Sequence, residues 1–378
     1  MKPKFEVAEI FRCYGEEYRS KYPVTGNQRK VMAAITSCRT FLLGGHSEIC
    51  ENCAVIRNSY NSCRNRHCPK CQTMTKENWL EKRKQELLPC GYFHMVFTVP
   101  HCLNPIILSN RKVMLSVLFR AVRDTIMSFA ADPQWKLEGQ PGMLTILHTW
   151  SQTLIDHFHI HCLIPAGVLS FDARRWNPSN DKFLFRVQSL AKEFKKQYLS
   201  MVTSSLDLNV SPENSAGLVQ QATEKTWIVY AKKPFTGPEQ VLEYLGRYTH
   251  RIAISNHRIK SIHDGKVTFT YRDRQHNNEL KTMTLSAMEF IRRFLLHVLP
   301  FRFMKIRYYG FLANICKAKA ILLIRRLIGK DMEARIFIDE TLQEKVLRLT
   351  GKDISLCPHC KIGRMVYLAL LLPGHNTS

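Results

Sequence analysis

The chain has 378 residues, a length typical of two or three domains, and 45% of its residues are apolar, enough for packed cores. Lysine and arginine outnumber aspartate and glutamate by 55 to 31, so the formal charge of +24 favours a polyanionic partner, most commonly nucleic acid. The longest apolar run, Met365 to Pro373, is too short to span a bilayer, and the N-terminus lacks the apolar core of a signal peptide, so we expect a cytoplasmic protein with no membrane partner. In that compartment, thirteen cysteines favour metal sites or buried thiols over a disulfide framework.

Residues 1–40 predict a basic helical arm, because apolar residues such as Val7, Ile10 and Phe11 recur at helical spacing. We expect this arm to pack or to contact DNA without taking part in chemistry.

Two Cys-x-x-Cys pairs follow within residues 41–86, in the arrangement of a zinc ribbon. Four thiolates from two such pairs close a tetrahedral site, which is structural because it has no open position. The predicted zinc ligands are Cys50, Cys53, Cys68 and Cys71. Spare candidates for one ligand position are Cys63, His46 and His67. Arg64 and Arg66, between the pairs, are predicted phosphate contacts, although basic knuckles also bind protein.

Two strands carrying single histidines are predicted next. The run from Tyr92 to Val99 is rich in β-type residues and ends at Pro100, and its His94 is interpreted as a core or edge residue rather than a ligand. The run from Met143 to Trp150 is a second predicted strand and carries His148.

The stretch from His157 to Ile164 alternates histidines with apolar residues. On a β-strand, His157, His159 and His161 share one face, and the apolar residues between them share the other. Histidines two residues apart on a strand can converge on one metal ion, whereas the alternative is a hydrogen-bonded histidine cluster. The short connection from the preceding strand predicts antiparallel neighbours, which would bring His148 towards the same ion.

Residues 199–226 are polar and are predicted to be a loop or an insertion. The helix predicted over 236–251 has Tyr244 and Tyr248 on one face, with Arg247 and Arg251 beside them. Such tyrosines usually serve packing. A tyrosine hydroxyl can also attack a phosphodiester when a cation polarises the phosphate and arginines hold the anion.

The last third of the chain predicts a three-stranded meander over 252–286, followed by a basic, largely helical region over 299–378. From Phe301 to Tyr309, aromatic residues alternate with basic ones, a pattern suited to a single nucleic-acid strand or to a half-buried strand with a basic face. The basic residues predicted to contact DNA there are Arg302, Lys305 and Arg307. Cys357 and Cys360 form a lone half-knuckle, which binds a second zinc with unidentified ligands or binds nothing.

In combination, several segments resemble the two-tyrosine transposases of IS91-type insertion sequences, which are rolling-circle HUH endonucleases. The resemblance covers about residues 20 to 360. The segments are NSCRNRHCPKC (Asn61–Cys71), FHMVFTVP (Phe93–Pro100), HTWSQTLIDHFHIHCLIPAG (His148–Gly167), YLGRYTHRIAISN (Tyr244–Asn256) and YYGFLAN (Tyr308–Asn314). Phe158 stands where the family often has proline, and Ala166 where it often has glycine.

This resemblance implies an α+β fold in which an N-terminal zinc ribbon (41–86) precedes an HUH endonuclease domain (87–298), an antiparallel ferredoxin-like sheet flanked by helices. It implies that His159 and His161 hold Mg²⁺ or Mn²⁺ together with a third ligand, for which His148 is favoured over Gln152 and His157. Tyr244 or Tyr248 would then attack single-stranded DNA and form a 5′-phosphotyrosine.

The implied partners are single-stranded element ends in the bacterial nucleoid and the host replication machinery. Two rival functions remain open from the sequence. A relaxase or replication initiator would use the same chemistry. A non-catalytic, zinc-dependent DNA-binding regulator would need the cysteines and the basic strip but neither tyrosine.

Overall fold

A computed structural model describes residues 3–180, 184–205, 212–235, 240–241, 244, 246, 252–273, 276–329 and 340–374. The strands are β1 (Gly45–Cys50), β2 (Ile56–Tyr60), β3 (Tyr92–Thr98), β4 (Gly139–Trp150), β5 (Asp156–Pro165), β6 (Gly167–Ser170), β7 (Trp176–Pro178), β8 (Ile228–Phe235), β9 (Ile259–His263), β10 (Lys266–Asp273), β11 (Glu279–Ser286), β12 (Ile306–Gly310) and β13 (Met365–Leu371). The helices are α1 (Val7–Lys21), α2 (Gly26–Ser37), α3 (Gln72–Lys84), α4 (Asn104–Ser109), α5 (Arg111–Ala131), α6 (Val187–Ser204), α7 (Pro212–Glu224), α8 (Ala287–Leu296), α9 (Lys317–Ile328) and α10 (Leu342–Thr350). This mixed α+β architecture with antiparallel sheets confirms the α+β part of the predicted fold class, and the HUH endonuclease fold stays a prediction.

The main sheet has the strand order β7-β6-β4-β5-β3-β8. β12 lies outside this order and pairs with residues 142–146 of β4. All of these pairings are antiparallel. The predicted antiparallel neighbours β4 and β5 are confirmed, with β3 on the far side of β5. β5 is therefore an interior strand, and its two faces are covered differently.

One face of the main sheet packs on α5 and α6. The apolar residues of β5, Phe158, Ile160 and Cys162, are fully buried there, because alternation turns them away from the histidines. The prediction of a loop over 199–226 is wrong: α6 extends to Ser204, and α7 buries Ala222 in the same core. Polar composition concealed the helical spacing of the few apolar residues in α7.

The N-terminal helices share a hydrophobic core with a second sheet. β9, β10 and β11 form the predicted meander, and its turn residues Asp264, Gly265, Asn277 and Asn278 all have positive φ, as tight hairpins require. α1 packs on α8, where Phe11 meets Phe294 edge to face with ring centroids 5.3 Å apart. The predicted arm therefore belongs to a core.

A small third sheet joins the two ends of the chain in the order β13-β1-β2. Gly45 pairs with Leu371 at one end of β1, and Cys50 pairs with Met365 at the other. The region 299–378 thus supplies β12 to the main sheet and β13 to this one, in addition to α9 and α10. Across the described ranges, we find no helix with the length and apolar character needed to cross a bilayer.

Candidate functional site

Three histidines converge on the face of the main sheet opposite α5 and α6. The register of β4 and β5 places His148 directly across from His159. His161 lies two residues further along β5 and therefore on the same face. One ring nitrogen from each of the three lies within 4.8 Å of those of the other two. The structure thus brings together the three residues that the sequence suggested as ligands of a divalent ion.

Hydrogen bonds orient two of these rings. His159 Nδ1 donates to the main-chain oxygen of His157 over 2.8 Å. His161 Nδ1 lies 3.1 Å from the Tyr244 hydroxyl and 3.0 Å from His94 Nε2. Because Nδ1 of both rings is engaged in this way, Nε2 is the nitrogen that each ring presents to an ion.

The donor set fits a divalent cation. All three rings are buried, so bulk water does not surround their nitrogens. Three imidazoles are ligands that first-row transition-metal ions accept, whereas Mg²⁺ prefers oxygen donors. The ring chemistry alone therefore favours a transition-metal ion at this position.

The histidines open into a cavity of about 400 Å³ between the main sheet and the meander. Trp150 lies on its wall and stacks on His148, with ring centroids 4.9 Å apart and an interplanar angle of 22°. The other two candidates for third ligand, His157 and Gln152, also line this cavity. His157 is paired with His101, Nδ1 to Nε2, over 3.2 Å. The three histidines are therefore reached through this cavity.

Tyr244 approaches this site from the side. Its backbone is helical, its side chain is 8% exposed, and its hydroxyl contacts both His161 and His94. One predicted nucleophile therefore lies beside one predicted metal ligand. The other predicted residues of this helix, Tyr248, Arg247 and Arg251, lie outside the described residues.

His94 is buried and lies outside the three-histidine group, which confirms its interpretation as a core residue rather than a ligand. β3 pairs with β5 with Val96 opposite His161, so His94 shares the sheet face of the three histidines. Burial, followed by the charge of Lys232, lowers the pKa of His94 to about 3, so the ring is neutral at pH 7. Strand alternation places His94 on one face of β3. Only the position of β3 beside β5 shows that this face is the one that carries the three histidines.

A second cavity, of about 210 Å³, lies beside the histidine cavity and shares Trp150 with it. Arg66 and Lys305 line it, and Lys305 Nζ lies 5.4 Å from the centroid of the Trp150 ring. Burial, followed by the charge of Arg66, lowers the pKa of Lys305 to about 7. The guanidinium of Arg66, an amine that is only partly protonated at pH 7 and an aromatic face thus occur together next to the histidines.

The other predicted DNA contacts have varied surroundings. Arg64 and Arg302 are exposed, as contacts to phosphate require. Arg307 instead lies over the Phe119 ring, 4.1 Å from its centroid, and donates to Ser116 Oγ over 3.3 Å. β12 is half-buried along its length, which matches the alternative interpretation of that part of the basic strip.

Eight cysteines form two clusters, and their grouping corrects the predicted zinc ribbon. The local cluster consists of Cys38, Cys63, Cys68 and Cys71. The bridging cluster consists of Cys50, Cys53, Cys357 and Cys360. The four predicted ligands are therefore divided between two clusters, because β1 pairs with β13 and carries the first pair to the C-terminal half-knuckle. The end of α2 supplies Cys38, which sequence reasoning missed, and Cys63 was a spare candidate.

Both clusters fit tetrahedral zinc. A Zn–S bond of about 2.3 Å implies sulfur atoms about 3.8 Å apart. In the local cluster, Cys71 Sγ lies 3.5 Å from Cys38 Sγ and 3.6 Å from Cys63 Sγ. In the bridging cluster, Cys50 Sγ lies 3.7 Å from Cys360 Sγ, and Cys53 Sγ lies 3.6 Å from Cys357 Sγ. These distances greatly exceed a disulfide bond, and all eight cysteines are free.

Comparison with protein families gives two matches. Residues 10–99 match the family described as "Transposase zinc-binding domain", Zn_Tnp_IS91. Residues 142–319 match the family described as "Putative transposase", Y2_Tnp. The first range contains the local cluster, and the second contains the three histidines and Tyr244. The local cluster therefore lies in a zinc-binding domain by family as well as by geometry.

Two curated proteins are similar over most of the chain. "Putative transposase y4qJ" of Sinorhizobium fredii is 42% identical over 97% of this chain and 95% of its own length. "Transposase for insertion sequence element IS801" of Pseudomonas savastanoi pv. phaseolicola is 29% identical over 75% of this chain and 70% of its own length. No solved structure matches the chain.

Proposed function

Because this chain belongs to the family of IS91-type insertion-sequence transposases, we propose that it cuts and rejoins single-stranded DNA by tyrosine attack during rolling-circle transposition. One observation carries this proposal. The Tyr244 hydroxyl lies 3.1 Å from Nδ1 of His161, within a group of three histidines that could share an ion.

His148, His159 and His161 would hold a divalent cation, Mg²⁺ or Mn²⁺ by family resemblance. When bound, the ion would supply positive charge to a non-bridging oxygen of the scissile phosphate. The main-chain oxygen of His157 would orient the ring of His159, and the Tyr244 hydroxyl would orient the ring of His161. His94 would help to orient the ring of His161 through its contact with Nδ1.

Tyr244 or Tyr248 would provide the nucleophile. The hydroxyl oxygen forms a bond to phosphorus, and the bond from phosphorus to the 3′-oxygen breaks. The tyrosine loses its proton, the 3′-oxygen gains one, and the products are a 5′-phosphotyrosine and a free 3′-hydroxyl. The phosphotyrosine retains the phosphodiester energy, so a second strand can be joined without a nucleotide cofactor. Replication by host enzymes would separate the two steps.

The second cavity, which shares Trp150 with the histidine cavity, would hold the DNA strand next to the scissile phosphate. Its basic wall suits the backbone, and the face of Trp150 suits a stacked base. Arg64 and Arg302, which are exposed, would make further phosphate contacts.

Single-strand cleavage tests the proposal. A 3′-labelled oligonucleotide from the element's end is incubated with Mg²⁺ or Mn²⁺ and with wild type, Tyr244→Phe, Tyr248→Phe or the double variant. We expect a labelled, protease-sensitive protein–DNA adduct that the double variant does not form. Tyr367→Phe, at an exposed position on β13, is the matched control and should behave as wild type.

The rival functions give different results. Specific binding without an adduct would overturn the tyrosine chemistry and favour a DNA-binding regulator. An adduct that remains in the double variant would assign the nucleophile elsewhere. Membership of a transposase family separates the proposal from a relaxase or replication initiator, and a transposition assay with a marked element is the direct measurement.

A further inference from the structure

The bridging cluster assembles two Cys-x-x-Cys pairs from opposite ends of the chain. Cys50 Sγ lies 3.7 Å from Cys360 Sγ, and Cys53 Sγ lies 3.6 Å from Cys357 Sγ. The family matches end at residue 319, so Cys357 and Cys360 lie outside both of them. The cluster is complete only when both ends of the chain are present.

We propose that the bridging cluster binds a second structural zinc ion, which fastens the C-terminal segment (residues 340–374) to the N-terminal zinc-binding domain. This inference is independent of the tyrosine chemistry, since it concerns a different set of residues and has its own measurement.

Both halves of the cluster have the backbone of a zinc knuckle. The amide of Cys53 lies 3.5 Å from Cys50 Sγ, and the amide of Gly363 lies 3.3 Å from Cys360 Sγ. Main-chain amides that donate to sulfur stabilise thiolates, the form that binds metal. A pair of reduced thiols would not need these donors.

The two knuckles also repeat the same turn. In each, the amide that follows the second cysteine donates over 3.0 Å to the carbonyl of the first cysteine: Ala54 to Cys50 and Lys361 to Cys357. Both of these residues have left-handed backbone, with φ of 54° and 59°. Two similar turns thus face each other, as in a zinc ribbon whose halves come from distant parts of one chain.

Gly363 shows how closely the two halves approach. A Cβ atom at this position would lie 2.5 Å from Cys50 Sγ and 2.6 Å from the Cβ of Asn52. A side chain larger than hydrogen therefore cannot be placed here without moving a sulfur ligand or the knuckle that carries it.

The C-terminal segment has little apolar core of its own. Of residues 340–374, all of which are described, Cys357 and Met365 are the buried ones, and no residue of α10 is buried. These two residues form a small core with Cys50, against which Cys53 and Cys360 pack. A segment with so little buried apolar surface needs another source of stability, and a structural metal supplies it in small domains.

The test measures bound metal in the full-length chain purified under reducing conditions. By native mass spectrometry and by elemental analysis, we expect two cysteine-bound zinc ions per wild-type chain. Cys357→Ser/Cys360→Ser should hold one zinc ion fewer than the wild type, whatever the three-histidine site contains. The matched control, Cys13→Ser/Cys102→Ser, changes two cysteines outside both clusters and should retain two. Cys360→His should also retain two, because histidine can replace one thiolate at zinc.

A second readout follows the segment itself. Amide hydrogen exchange of β13 should rise in Cys357→Ser/Cys360→Ser and stay at the wild-type rate in the control and in Cys360→His. Equal numbers of zinc ions in the wild type and in Cys357→Ser/Cys360→Ser would overturn the proposal. A wild-type mass that lacks the second zinc ion and shows the loss of hydrogen expected for disulfide bonds would also overturn it. The four cysteines of the bridging cluster would then be joined by disulfides.

Discussion

The local cluster and the bridging cluster each present four thiolates but are closed by very different lengths of chain. Cys38 and Cys71 are 33 residues apart, whereas Cys50 and Cys360 are 310 residues apart. For a flexible chain, that difference in loop length costs about 2 kcal/mol more in closure entropy. The local cluster can form early, and we expect the bridging cluster to form only after the residues between its halves have folded.

The two clusters also differ in their surroundings. Cys38, Cys68 and Cys71 are buried in the core that contains α1, α2 and α8. The bridging cluster has two buried cysteines, and Cys53 and Cys360 are half-buried at the surface. The comparison teaches that one cluster is part of a large core, whereas the other takes the place of a core.

The largest effect should follow from breaking the local cluster. Cys68→Ser removes one ligand and leaves three thiolates without an ion in a buried position, so we expect the free energy of unfolding to fall by about 3–5 kcal/mol. Urea denaturation measures this change. Cys13→Ser, at an exposed position in α1, is the control, and a Cys68→Ser chain as stable as that control would remove the distinction between the clusters.

A smaller effect should follow from crowding the bridging cluster. Gly363→Ala places a methyl group against Cys50 Sγ, so we expect a loss of about 1–3 kcal/mol together with loss of one zinc ion. Thermal unfolding and metal analysis measure the two results. Gly217→Ala in α7, where a Cβ meets nothing within 4 Å, is the control. Retention of both zinc ions by Gly363→Ala would show that the two knuckles lie far enough apart to admit a methyl group at residue 363.

The smallest effects should come from the helix caps of the two regions. α2 and α10 each begin with a capping box, Thr25 with Gln28 and Thr341 with Glu344. Thr25→Ala should lower global stability by about 1 kcal/mol, because α2 belongs to a core. Thr341→Ala should only raise the hydrogen exchange of α10. Equal losses of global stability in the two variants would mean that α10 unfolds together with the core.

Much of the candidate site was visible in the sequence. The alternation from His157 to Ile164 predicted both faces of β5, and the short connection to the preceding strand predicted the approach of His148. The turn residues of the meander were equally informative, since their positive φ values are a local property. These successes share a cause: each depends on residues close together in the chain.

The errors depend on distant parts of the chain. Cys-x-x-Cys spacing identifies a knuckle but does not say which other knuckle it meets, so Cys50 and Cys53 were assigned to the wrong partners. Cys38 carries no spacing signal, because it is a single cysteine at the end of α2. His94 was correctly interpreted as a core residue, but its contact with His161 depends on the position of β3 beside β5, which no local pattern contains.

The separation of the two halves of the bridging cluster also has a consequence for synthesis. The ribosome releases Cys50 and Cys53 from its exit tunnel long before Cys357 and Cys360 have been translated. During that interval Cys50 and Cys53 have none of their later sulfur partners. Translation that terminates before residue 357 never supplies these partners. Closure of this cluster therefore marks a chain that has been translated as far as its second knuckle.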